Sequence, residues 1–226
     1  MFIYDETYIW YIVIILAISL FAEFRIKLTF AKYSKIRCNM TGRDSANLVL
    51  CQNSVPGVRF YRVRGSLTDY FDPRSNSISL SDDVYDEDSI AAIGVGAHEA
   101  GHAVQYYKNY LPMKVRHSLV PIVNFGSSLA MPLFFLGVVS MYDFLMTLGI
   151  ILFSTSVIFH MVTLPVESDA SNRALEALEQ SGRLSSEELD GARKVLMAAR
   201  FTYIAAILSS LVSLVRLIII SNRRKK

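Results

Sequence analysis

The run in this chain best suited to chemistry is His98-Glu99-Ala100-Gly101-His102. On a helix, residues at i and i+4 share a face, so both imidazoles can reach one metal ion. Glu99 stands about 100° around a 3.6-residue helix from His98, close enough to take a proton from water at that metal without being a ligand. Zinc lowers the pKa of such water towards about 7, so a carboxylate base can work at neutral pH. The pattern is short enough to arise by chance on a solvated helix, but two features oppose that. The chain has only 4 histidines, and two of them fill the pattern. The flanking Ile90, Ala91, Ala92, Ile93, Val95, Ala97 and Val104 are small and apolar, and ionisable groups buried among them need a compensating partner such as a metal.

Two histidines and a water leave one tetrahedral position for the protein. The acids that can supply it are Glu167, Asp169, Glu176, Glu179, Glu187 and Glu188. The later ones stand among Arg173, Arg183 and Ser185-Ser186 and read as a solvated face. Glu167 is favoured, because Ala170, Ser171 and Ala174 keep one helical face small enough to pack against the histidine helix. Asp169 is then the expected hydrogen-bond acceptor for a ligand histidine. His160, about two turns before Glu167, and Arg216 are candidates for an outer or substrate-side role, including stabilisation of an oxyanion.

The elements that must position these residues read as membrane helices. Mean hydropathy is +0.34, with 52% apolar and 19% charged residues, which excludes a disordered chain and exceeds what a soluble domain needs. Net charge is only +3, so no nucleic-acid partner is expected. Cys38 and Cys51 lack the spacing of a zinc ribbon or disulfide scaffold. Four apolar stretches are expected to cross a bilayer, at residues 7–24, 118–142, 144–166 and 201–222, the last crossing or re-entrant. The middle two form a hairpin. In the last, Thr202, Ser209, Ser213 and Arg216 make a polar stripe that should face a bundle interior.

Two polar blocks remain, 25–117 and 167–200. The first holds a helix opening at Thr41, strands at 58–63 and 77–80, and the histidine helix over 89–107 with Ser89 as N-cap. Asp86, Glu87 and Asp88 are expected to complement the dipole of that helix. The strand at 77–80 is expected to present an edge to an extended substrate. Arg25, Lys27, Lys32, Lys35 and Arg37 crowd the end of the first stretch, which places that end, and after an even-numbered hairpin both blocks, in the cytoplasm.

Longer motifs add to this. Gly65-Ser66-Leu67-Thr68-Asp69-Tyr70-Phe71-Asp72-Pro73-Arg74, Leu80-Ser81, Val84-Tyr85, Ser89-Ile90-Ala91-Ala92, Ala97 through Gln105, and Leu164-Pro165-Val166-Glu167 with Asp169-Ala170-Ser171 resemble the YugP-type neutral zinc metallopeptidases. The resemblance covers essentially the whole chain. It implies a multi-pass bacterial membrane protein holding one zinc ion. A wider similarity is to membrane-embedded gluzincins of the HtpX and CAAX-protease type, which also place a transmembrane hairpin between the histidine helix and a glutamate ligand. Their glutamate usually has an aspartate four positions on; here Ser171 stands there, and Asp169 is two on.

The expectation is therefore a mainly α, single-domain membrane helical bundle over 1–226, with a small α+β cytoplasmic zincin-like part. Its expected activity is zinc-dependent hydrolysis of peptide or membrane-protein substrates, with His98, His102 and Glu167 as ligands and Glu99 as general base. The same ligands would serve a hydrolase of a non-peptide amide or lipid. A non-catalytic scaffold retaining zinc is the remaining alternative, and the intact Glu99 argues against it, since a structural site would not require it.

Overall fold

Apolar runs too long for strands make helix the dominant element. In the computed structural model, which describes residues 6–224, the order is α1 (Glu6–Tyr33), α2 (Gly42–Gln52), β1 (Arg59–Val63), β2 (Tyr70–Asp72), β3 (Ser77–Ser81), α3 (Ile90–Tyr107), α4 (Leu111–Ser140), α5 (Asp143–Ser181) and α6 (Ser186–Arg224). Asp5, ahead of Glu6, and the basic Lys225 and Lys226 lie outside the described residues. Among the described residues four helices are long and apolar enough to cross a membrane: Ile9–Tyr33, Leu111–Ser140, Asp143–Ser181 and Ser186–Arg223. Along α1 the side chains of Ile9, Trp10, Ile14, Leu16, Leu20, Phe21 and Phe24 are exposed, a stripe that a bilayer would cover.

The chain forms two compact units. One comprises Met1–Glu23, Val115–Leu164 and Thr202–Lys226; the other comprises Phe24–Lys114 and Pro165–Phe201. The helices extend beyond the apolar stretches 118–142 and 144–166. Pro121 and Pro132 lie inside α4 and Pro165 inside α5, so the apolar stretches are parts of longer continuous helices. The expected polar block 167–200 is the last part of α5, a short turn, and the first part of α6.

In the first unit the hairpin helices meet through glycines. A Cβ on Gly137 would stand 2.6 Å from Met146 N, and one on Gly149 would stand 2.7 Å from Ala130 O, so only glycine allows this approach. Phe134, Met146 and Leu217 form the small core. The polar stripe of α6 turns inward as expected: Arg216 is buried, and Tyr11 donates to Ser213 Oγ at 3.1 Å.

In the second unit the main core includes Val49, Ile78, Leu80, Ile93, Val104, Leu178 and Leu196. The sheet order is β1-β3-β2, with β1 parallel and β2 antiparallel to β3. This corrects the expectation that residues 77–80 present an edge. β3 is the buried central strand, and the edges belong to β1 and β2. The α2 helix begins with a capping box between Thr41 and Asp44.

The start of α3 is doubly held. Ser89 Oγ accepts from Ala92 N at 3.2 Å, and Ile90 N donates to Ile36 O at 3.1 Å, satisfying donors that a helix start leaves unpaired. The acidic run before it differs from the expected dipole partner. Glu87 and Asp88 pair with Arg37, while Asp82 and Asp86 pair with Arg62, so the run ties three chain segments together by exposed ion pairs.

Candidate metal centre

Small residues on α3 bring the ligand-bearing elements together. A Cβ on Gly96 would lie 2.0 Å from Gly42 O on α2, and one on Gly101 would lie 2.4 Å from Ala170 O on α5. The small face predicted at Ala170 and Ala174 is thus the surface against which α3 rests, and both alanines are fully buried. Gly101 lies inside the histidine run itself, so this close α3–α5 approach is one residue from His102.

At this contact the three ligand-type residues converge. The Nε2 atoms of His98 and His102 lie 3.2 and 3.4 Å from the same atom, Glu167 Oε2. One ligand atom from each of these residues lies within 4.8 Å of the others. Two zinc bonds of about 2.0–2.1 Å at a tetrahedral angle place ligand atoms about 3.3–3.4 Å apart, which the two His–Glu separations match. Glu167 is 3% exposed, a burial that a carboxylate tolerates only with positive charge beside it. Burial disfavours charge on His102, but the Glu167 carboxylate outweighs it and, with Glu99 also nearby, raises the imidazole above its ordinary value.

The other ring nitrogens are held from behind. Gln105 Nε2 donates to Val166 O and to Asp169 Oδ2, both at 2.8 Å. Its Oε1 must then accept from His102 Nδ1, 3.0 Å away. Nδ1 therefore carries a proton, which leaves Nε2 as the nitrogen that faces Glu167 and is available to a metal ion. On His98, Nδ1 is 3.1 Å from Ser171 Oγ. Asp169 also accepts from Arg173 Nε at 2.6 Å.

Asp169 therefore stands one residue further out than expected. It reaches His102 through Gln105, and the residue four beyond Glu167 that touches a ligand histidine is Ser171. Neither Gln105 nor Ser171 was assigned a role from sequence. The available signal was a neutral polar residue three positions after His102 in the apolar run Ala103-Val104, where burial demands hydrogen-bond partners.

Glu99 is 8% exposed and stands beside His98 on α3. Its charge acts on both His102 and Asp69. Asp69 accepts from Ser81 N at 2.7 Å and from Ser81 Oγ at 3.1 Å, tying the β2 entry to the end of β3. Asp72 makes turn contacts with Arg74 N and Ser75 Oγ. His160 and Arg216 belong to the other compact unit and are not among the residues that gather metal-ligand atoms.

Comparison with known proteins points to a zinc-peptidase family. Residues 8–222 match the family described as "Putative neutral zinc metallopeptidase". The chain belongs to that family. It is also 43% identical over 208 residues to "Putative membrane protease YugP" of Bacillus subtilis (strain 168), covering 91% of this chain and 92% of the relative. No solved structure matches the chain.

Proposed function

We propose that this protein is an integral-membrane zinc endopeptidase acting on peptide or membrane-protein substrates. The observation that carries the reading is the convergence of both Nε2 atoms on Glu167 Oε2 at 3.2 and 3.4 Å, next to the buried Glu99. His98, His102 and Glu167 hold one zinc ion. Bound there, zinc supplies a Lewis acid that polarises the scissile carbonyl and makes water acidic enough to attack it. Glu99 takes the proton of the attacking water on a carboxylate oxygen and delivers it to the leaving amine nitrogen. Gln105 keeps His102 in the tautomer that binds metal through Nε2, and Ser171 holds the ring of His98. The site-bearing unit is assigned to the cytoplasmic face from the basic run between Arg25 and Arg37.

Purified protein should contain one zinc per chain by metal analysis. His98→Ala and Glu167→Gln should empty the site at low free zinc. Glu99→Gln should keep zinc and abolish peptide hydrolysis. Zinc retained in both ligand variants would refute the site, and full activity in Glu99→Gln would refute the mechanism. Hydrolysis of lipids alone would reassign the substrate. A cysteine at the exposed Ser185 should resist an impermeant maleimide added to intact cells; labelling there would reverse the orientation.

A further inference from the structure

We infer that a groove between the C-terminal part of α1 and the first half of α6 binds the phosphate of an anionic phospholipid headgroup. Its volume is about 300 Å³, and it is lined by Arg25, Leu28, Thr29 and Lys32 of α1 and by Lys194 and Met197 of α6, with Tyr33 and Ala198 completing it. The α1 residues fall at i, i+3, i+4 and i+7, so one helical face builds that wall.

The two helices run past each other in opposite directions here, as the contacts at the groove's ends show. At one end the Arg25 guanidinium lies 4.8 Å over the Phe201 ring. At the other, Tyr33 packs where a Cβ on Gly191 would meet its ring at 2.9 Å. Lys32 Nζ lies 5.3 Å from the centre of that same ring, and the Lys194 ammonium reaches the Tyr33 side chain as well. Two ammonium groups are thus gathered at the end furthest from the apolar run of α1. Between the two ends lie Leu28 and Met197, 53% and 52% exposed.

The charge is unbalanced in favour of an anion. Among the described residues no acidic side chain lines the groove. Lys194 has Asp190 at 2.5 Å, whereas the contacts of Arg25 and Lys32 described above are with aromatic faces. A free phosphate would gain nothing from Leu28 and Met197. A phospholipid would gain from both, with its phosphate on the ammonium pair and its acyl chains directed along Leu28 towards the exposed Phe24 and Phe21 of α1. This order, charge and then apolar surface along a helix able to cross a membrane, selects lipid as the source of the phosphate. The groove shares no lining residue with the metal centre, so the inference stands apart from the hydrolase reading.

Native mass spectrometry of the full-length protein, purified in detergent and supplied with equal phosphatidylglycerol and phosphatidylcholine, tests it. Wild type should retain phosphatidylglycerol selectively. The double variant Lys32→Ala/Lys194→Ala should lose about 30-fold in retention, the effect of removing two cations near an anionic headgroup, while Arg183→Ala on an exposed turn should lose none. Met197→Trp keeps every charge but fills the groove, and should lose retention as well. All these side chains are exposed, and matched circular dichroism spectra check that the variants fold. Unchanged selectivity in the double variant would overturn the inference. So would undiminished binding in Met197→Trp, which would mean diffuse attraction by surface charge. Displacement of the lipid by millimolar inorganic phosphate, with phosphate then bound in lipid-free detergent, would identify a free-anion site and equally overturn it.

Discussion

Replacing Gly101 by alanine puts a methyl group 2.4 Å from Ala170 O and 3.0 Å from its carbonyl carbon. Both atoms are backbone, so no side-chain rotation relieves the contact. Reaching an ordinary 3.4 Å separation requires α3 and α5 to part by about 1 Å. Because Ala170 lies one turn beyond Glu167, the parting carries the carboxylate away from both Nε2 atoms. Overpacking of this kind costs about 1–3 kcal/mol, offset by about 0.5–1 kcal/mol from removing a glycine inside a helix. Zinc affinity should fall about 10–100-fold, the range for disturbed ligand orientation. Two neighbouring glycines serve as controls. Gly96→Ala meets Gly42 O at 2.0 Å and forces α2 aside, so it should destabilise at least as much while sparing zinc affinity. Gly94→Ala finds its nearest neighbour, Ala192 O, at 3.6 Å and should be neutral or gain about 0.5–1 kcal/mol. Thermal unfolding and chelator competition on the three variants provide the assay. If Gly101→Ala bound zinc like wild type, or if Gly96→Ala weakened it equally, the claim that the α3–α5 contact sets the ligand geometry would be refuted.

Further outcomes follow from other contacts. Gln105→Leu removes the acceptor for His102 Nδ1–H and should weaken zinc about 10–100-fold in chelator competition. Asp169→Asn should matter less, and adding it to Gln105→Leu should cost little more, because Asp169 acts through Gln105; full additivity would break that chain. The Cys38 thiol is pushed up to about 12 by burial, with the Glu188 carboxylate adding to it, whereas Cys51 is exposed. A thiol reagent at about pH 8 should therefore consume one equivalent in folded protein and a second only on unfolding. Burial holds the Asp69 carboxyl above its ordinary value, with Glu99 adding to this and the Ser81 donors opposing it. Its neutral form is thus favoured in the folded state. That contribution is full below the usual carboxylate range and is lost as pH rises through the folded value. Thermal unfolding against pH should show wild type declining relative to Asp69→Asn over that window; the reverse slope would contradict the burial argument.

The sequence alone determined the local features. The i, i+4 histidines with Glu99, the Ser89 cap, the Thr41 helix start and the apolar runs were all legible, because helical periodicity and capping depend on residues within a turn or two of one another. Favouring Glu167 rested on its place just after the hairpin and on the small face through Ala170, Ser171 and Ala174. The tertiary structure decided what depended on partners distant in sequence. That β3 is central rather than an edge follows from β1 pairing parallel to it across a connection whose register no short motif encodes. That Asp82, Asp86, Glu87 and Asp88 meet Arg37 and Arg62 follows from two distant chain segments folding beside the run that precedes α3. The order His102, Gln105, Asp169 and Arg173 emerged only once Gly101 had let α5 approach, since a buried amide has several possible partners until one backbone is laid against another.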